Sequence, residues 1–512
     1  MGRVLKTIKN AKINLFYYVC FMFVSFFSRK MFLEYLGADF VGLTGTLNGV
    51  LGMLNIAELG VGTAVGYALY KPIYDKDNDE VNKIISLLGY IYKKIGLLIL
   101  FFGIAISLVI PLILQNTPFN YWVIFLAFLS FLFSSLLGYF FNYHQVLLLS
   151  DQKNYIVVKY YQSVVILKLL AQISLVYLFQ NYLIWIIVEL LFSILYSIIF
   201  RWRVKREYPF LSLREKATSS ILKDYPEVIR KVKQIFLQKI SYFVLTGTDG
   251  ILIYAFANLK AVAFVGNYQL LITSLQTLAG TLFSGTGAAI GNVVAEGNEK
   301  NIRKIFWEMM AIRHFIASVL FVAVYFLIDK FIVLWIGVEF ILDKDLVVLM
   351  LIIMVLGQIR VPVMNYLNAY GLFSDVWASI SETILNLVTS LVLGYLWGIK
   401  GIFFGTIVSM GLLVLVWKPY FLYKNGFKVP VYDYYRGQAL LILPFIIVFP
   451  IVRFYFSNKI LLIDSYLDWI FMGFKLFIFT VIFFVILFFI FSRGFRSLVD
   501  RILIPLRKKI RL

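Results

Sequence analysis

Apolar runs of about 20 residues, the length that spans the hydrocarbon of a bilayer, recur along this chain with no globular-looking interval between them. Lipid offers a backbone no hydrogen-bond partners, so such runs must close their own bonds, and at this length they do so as helices. Only 15% of the residues are charged and 61% are hydrophobic, whereas soluble domains carry about 25% charge. The longest polar segment, residues 201–239, is too short to be a domain. Runs bounded by charge, Pro or Asn clusters place the first six helices at 13–32, 40–70, 86–114, 120–148, 155–179 and 182–201. Eight more follow at 232–257, 261–294, 305–328, 346–371, 375–397, 401–423, 438–456 and 467–492. The expected fold class is an all-α integral membrane protein of about 14 transmembrane helices. The start, MGRVLKTIKN before an apolar run, resembles a signal peptide, but no small-residue cleavage site follows, so it is expected to be a retained first helix.

The net charge of +21 would suggest nucleic acid in a soluble protein, but its placement points elsewhere. With both termini cytoplasmic, the inside segments hold 37 Lys and Arg and the outside segments nine. Lys168 and Arg360 fall within helices. A bias sustained over fourteen segments fixes orientation by the positive-inside rule and sets the excess charge against the anionic inner leaflet. The single Cys20 excludes a disulfide framework or thiolate metal site, and His144 and His314 are too scattered for zinc or haem. No cofactor is expected.

Residues 60–66, GVGTAVG, and 285–291, GTGAAIG, match three glycines and an alanine at one offset of 225 residues. Phe40-Val41-Gly42 and Phe264-Val265-Gly266 match upstream at 224, and both copies run into a charged loop. An even number of helices separates the copies, so they share an orientation. The expectation is two parallel six-helix lobes related by a pseudo-two-fold along the membrane normal: an N-lobe over 1–201, a basic cytoplasmic linker over 202–231, a C-lobe over 232–423, and two extra helices with a basic cytoplasmic tail over 424–512. Gly45/Gly49, Gly62/Gly66, Gly287/Gly291 and Gly401/Gly405 each have the four-residue spacing that lets helix backbones approach in lipid. Gly60-Val61-Gly62 is no dinucleotide fingerprint, because no strand precedes it.

Ionisable groups in hydrocarbon cost about 2.5 to 3.5 kcal/mol each on insertion scales and face a cavity or a partner. The cations Arg29, Lys168 and Arg360 are the candidates for a cationic cavity that binds an anion, Arg being suited to bidentate phosphate contact. Lys30 and Arg29 also lie where they would snorkel to the outer interface. Glu58, Asp249 and Glu382 are candidates for holding a proton or sodium ion; with Glu189 they are equally suited to pair with those cations. Glu58 aligns with Phe283 and so breaks the repeat. Nothing resembles a nucleophile triad, a metal cluster or a phosphate-cradling loop, and the outside loops are short, so the chain is not expected to be an enzyme.

Residues 28–77, SRKMFLEYLGADFVGLTGTLNGVLGMLNIAELGVGTAVGYALYKPIYDKD, resemble the N-terminal signature of Wzx-type polysaccharide repeat-unit flippases. The shared elements are an Arg on helix 1, then LG and GL, then AELG and a glycine-rich helix ending in LYKP. The fourteen-helix, two-lobe plan is similar to that of the wider multidrug, oligosaccharidyl-lipid and polysaccharide (MOP) exporter superfamily. The resemblance implies a MATE-like transporter in the bacterial plasma membrane that moves lipid-pyrophosphate-linked oligosaccharides from the cytoplasmic to the outer leaflet, by rocker-switch alternating access through a cationic cavity. It implies as partners the lipid-linked substrate, membrane lipids and a polysaccharide polymerase with other assembly proteins, and no nucleic acid. Arg29 then matches the family's helix 1 Arg and Asp249 an acid on helix 7; Lys168 and Arg360 match no family position. Two rivals stand beside it: a multidrug antiporter of the same superfamily, whose cavity should be acidic, and a membrane polysaccharide polymerase, which should show a large outside loop with clustered Arg, His or Asp.

Overall fold

The structure is a computed structural model of the full chain, and it describes residues 3–55, 61–114, 117–212, 225–230, 232, 247–281, 290–291, 293–294, 296–372 and 375–510. Every regular element among them is helical. Eleven helices among the described residues are long and apolar enough to cross a membrane, so the fold is an all-α, multi-spanning membrane fold. The chain divides into two compact units, Met1–Gly266 and Asn267–Leu512.

The first unit begins with α1, Arg3–Leu54, interrupted at Gly37 (φ 83°, ψ 161°). Fifty-two residues of straight helix would run about 78 Å against about 30 Å of hydrocarbon, so a break is required. It falls where the sequence expects the turn between 13–32 and 40–70, at a residue without a Cβ to oppose positive φ. There follow α2 (Val61–Asp75), α3 (Asn78–Ile113), α4 (Tyr121–Phe140), α5 (Gln145–Ser150), α6 (Asn154–Phe179), α7 (Tyr182–Glu207) and α8 (Asp249–Phe256). The expected helix over 120–148 is thus two helices. α3 starts well before the expected residue 86 because the Asp77 carboxylate accepts the Glu80 N–H at 2.9 Å, capping an acidic first turn that suits the helix dipole. Gln180, left-handed at the end of α6, and Asn181, which caps α7 through the Leu183 N–H at 2.8 Å, make a tight turn. That turn lays α6 antiparallel to α7.

Glycines set how closely α1 is approached. A Cβ on Gly42 would lie 1.9 Å from the Leu259 carbonyl oxygen, and one on Gly45 or Gly49 would meet Val262 or Ile251 at 3.3 Å. The compact unit therefore continues to Gly266, past the expected linker 202–231, because α8 and the residues after it rest on this glycine face. The unit's aromatic core centres on Phe40, stacked on Tyr182 at 4.8 Å and edge-on to Trp185 at 5.3 Å.

α9 (Leu259–Thr281) leads into the second unit. There α10 (Glu299–Trp335), capped by Asn298 through the Asn301 N–H, is buried along its length, with α11 (Lys344–Ala369), α15 (Tyr432–Leu461), α16 (Tyr466–Phe491) and α17 (Arg493–Ile510) against it. α12 (Val376–Trp397) and α13 (Ile399–Met410) form a hairpin through Gly398, at φ 59°. A Cβ on Gly401 would lie 1.8 Å from the Leu393 carbonyl oxygen, and one on Gly405 would lie 2.6 Å from the Ser390 nitrogen. α13 widens into a π-helical stretch, Gly411–Trp417, before the short α14, Lys418–Leu422, and a second stretch, Tyr423–Phe427. Pro419 supplies the cause, since its ring clashes with a carbonyl four residues earlier in a regular helix and a wider turn relieves the clash. Residues 493–510, expected as a basic tail, are the helix α17, tied to α10 by Arg501 and Ser497 on Glu308 at 3.0 and 2.5 Å.

Candidate functional site

Each compact unit places one of the expected mid-membrane cations in an ion pair with an acid of the next helix. In the first unit the α6–α7 turn sets Lys168 opposite Glu189. The ammonium donates to the carboxylate at 2.6 Å, and Gln172, one turn along α6, donates to its other oxygen at 3.1 Å. In the second unit Arg360 of α11 meets Glu382 of α12 through two bonds of 2.7 and 3.1 Å. That fork geometry is the one expected of a guanidinium on a carboxylate. Glu382 is wholly buried, with Arg360 covering it from a side chain 19% exposed. Lys168 and Arg360 are therefore charge-matched, and an anion approaching either would have to share or displace a carboxylate.

Lys168 and Glu189 also line a cavity of about 510 Å³ within the first unit, walled by α1, α4, α6 and α7. Its polar lining includes Asn48, Ser134, Ser135, Asn142 and Tyr161. Ser135 donates to Asn55 at 2.9 Å and Asn142 to Ser197 at 2.9 Å. Ser134 Oγ and Asn142 Oδ1 are buried without a protein partner, which suits them to water or to a polar ligand group. Arg29 lies in the same unit but does not line this cavity. Its guanidinium donates to the Ala263 carbonyl at 3.2 Å and packs where a Cβ on Gly266 would come within 2.8 Å. Asp249 opens α8. Glu58 lies outside the described residues, as do Gly60, Gly285 and Gly287 of the repeat.

Two polar sites escaped the sequence. Lys418 and Asp375 form a pair at 2.7 Å with side chains 5% and 7% exposed. Arg313, counted among the cytoplasmic cations, is buried on α10 and donates to Gln358 at 2.9 Å. A Lys beside a Pro reads as a helix end, and an Arg eight residues into an apolar run reads as an interface charge. Only the packing of α11 and α12 shows otherwise. Outside the spans, Lys153 bridges Asp151 at 2.7 Å and Glu207 at 2.9 Å. Burial alone would lower its ammonium, but the two carboxylates outweigh that and hold it above its ordinary value. Among the described residues no group of three or more His, Cys, Asp or Glu is placed to hold a metal.

No protein-family model and no curated protein matches the sequence. Solved structures match the fold. The inward closed conformation of the lipid II flippase MurJ is 14% identical with a TM-score of 0.63, covering 98% of this chain and 100% of that one. An inward-facing multidrug resistance MATE transporter of the MOP superfamily is 13% identical with a TM-score of 0.59, over 82% of this chain and 99% of that one. A point mutant of the Vibrio cholerae MATE transporter VcmN is 14% identical with a TM-score of 0.54, over 83% and 99%. The chain thus has the fold of MATE and MurJ transporters.

Proposed function

We propose that this protein is a Wzx-type flippase that carries lipid-pyrophosphate-linked oligosaccharide repeat units from the cytoplasmic to the outer leaflet of a bacterial plasma membrane, for surface polysaccharide synthesis, by alternating access. The observation that carries the reading is the extent of the shared fold: a lipid II flippase covers 98% of this chain, whereas the multidrug transporters cover 82 or 83%. The shortfall is about the length of residues 424–512, which supports assigning the extra C-terminal helices to the part held in common with a lipid II flippase. Further support comes from the N-terminal segment 28–77 and from the cations Arg29, Lys168 and Arg360.

The same reading keeps fourteen crossings with both termini cytoplasmic, and lobes over 1–201 and 232–423. The break at Gly37 supports it, dividing one long apolar helix into two. Arg29, Lys168 and Arg360 are assigned to the pyrophosphate, the last two by exchanging their carboxylate partners for the substrate's charge. Glu58, Asp249 and Glu382 are assigned to coupling by proton or sodium. The multidrug alternative predicts acids open to a cationic drug; Glu189 and Glu382 are instead each held by a cation. The test is depletion of the protein followed by localisation of lipid-linked repeat units. They should accumulate on the cytoplasmic leaflet, and units still reaching the outer leaflet would rule the reading out.

A further inference from the structure

A second cavity lies apart from the buried charges. It measures about 750 Å³ and is walled by Leu137 of α4 and Phe141 just after it, by Ile194, Ser197, Ile198, Arg201, Trp202 and Lys205 of α7, and by Leu211 and Ser212. On α7 the contributing positions recur at three- and four-residue steps, so they form one continuous helix face. That face changes character along its length. Ile194 and Ile198 are apolar and open to the bilayer, Ile198 being 63% exposed. One turn on comes Trp202, 56% exposed, with the Arg206 guanidinium 5.6 Å above its ring, and then the cations Arg201 and Lys205. From Ile194 to Lys205 the rise is about 16 Å.

Two further features mark this as a built site and not a loose surface. Its floor is pinned, since Asn82 accepts the Ser212 N–H at 2.9 Å and donates to the Phe210 carbonyl at 3.2 Å, and Tyr208 donates to Asp151 at 2.9 Å. The charges on the same stretch of helix are also divided. Arg203 is paired with Glu207, whereas Arg201 and Lys205 form no ion pair among the described residues and border the cavity.

From this gradient we infer that the α4–α7 groove is a binding site for an anionic phospholipid of the bilayer, with the phosphate headgroup on Arg201 and Lys205 and an acyl chain along Ile194, Ile198 and Phe141. The charge complementarity selects the occupant. A neutral lipid would leave two cations unanswered, and a soluble phosphate would leave the apolar half of the groove exposed. Basic pockets between transmembrane helices at the inner-leaflet level are suited to anionic headgroups on general electrostatic grounds. The site is independent of what the protein transports.

The test is native mass spectrometry of the purified full-length protein, titrated with phosphatidylglycerol and with phosphatidylcholine of the same acyl chains. Phosphatidylglycerol should bind at least tenfold more tightly. The Arg201→Gln/Lys205→Gln pair should weaken it about 30-fold, the loss of two headgroup attractions. Lys71→Gln/Lys83→Gln, which removes equal charge from exposed positions that do not line the groove, should change it less than threefold. Ile198→Asn should also weaken it, because the cations alone would be only a charged patch. Equal affinity for the two lipids, an equal effect of both double variants, or an Ile198→Asn variant that binds normally would overturn the proposal. So would displacement by millimolar inorganic phosphate, which would make the site one for a free anion, or preference of the Arg201/Lys205 site for a prenyl pyrophosphate, which would make it part of the transport path.

Discussion

At the scale of the residue, the buried pairs Lys168–Glu189, Arg360–Glu382 and Lys418–Asp375 matter because each charge is met by an opposite one. Removing one member of a buried pair leaves an uncompensated charge, at a cost of about 3–5 kcal/mol, whereas replacing both with apolar groups is often close to neutral. Arg360→Met should therefore lower the thermal stability of the detergent-purified protein sharply, and adding Glu382→Leu should restore much of it. Additive losses would mean that the pair is not coupled. In a flipping assay Arg360→Ala should impair transport and Arg360→Lys should retain part of it, since a Lys keeps the charge but not the fork. Lys153 behaves differently because it sits outside the bilayer. Its ammonium is held above its ordinary value, so its contribution to stability is complete at neutral pH and is lost only as pH rises through that raised value. The stability difference between wild type and Lys153→Met should accordingly stay constant from pH 6 to pH 9; a difference that shrank within that window would place the Lys153 titration too low.

At the scale of the element, small residues decide which helices touch. Gly42 and Gly401 each face a backbone carbonyl closer than any Cβ tolerates, while Gly291 has no atom within 4 Å of where its Cβ would be. Overpacking costs about 1–3 kcal/mol. Gly42→Ala and Gly401→Ala should each lower the melting temperature by several degrees, and Gly291→Ala should leave it unchanged. The four-residue spacing flagged both Gly287/Gly291 and Gly401/Gly405, yet the structure shows close approach for the latter pair and open space at Gly291. Spacing marks a surface that permits contact; it does not supply the partner helix. The same limit explains α17, whose Phe495, Leu498, Val499 and Ile502 repeat at helical steps and were hidden by the basic residues between them.

At the scale of the whole molecule, the proposed transport of a pyrophosphate-linked substrate would move negative charge outward. An inside-negative potential assists that movement by about 2.3 kcal/mol per charge per 100 mV. Imposing such a potential across proteoliposomes should accelerate outward flipping, and a rate indifferent to potential would require a neutralised substrate or compensating ion movement.

The amino-acid sequence by itself determined that this chain is a helical membrane protein, and most of where its helices lie. Apolar length and charge asymmetry are local properties, so α6, α7, α12 and α16 begin and end within a residue or two of expectation, apart from the basic end of α7. The sequence also singled out Lys168, Arg360, Glu189 and Glu382 as costly in lipid. It could not pair them, because Lys168 and Glu189 stand 21 residues apart and Arg360 and Glu382 stand 22, and spacing along a chain does not say which helix faces meet. Tertiary packing decided that, along with the buried Lys418–Asp375 pair and the groove beside Arg201 and Lys205. A helix has several faces that its sequence leaves equivalent, and only the neighbours it packs against determine which becomes a core, a cavity or a surface for lipid.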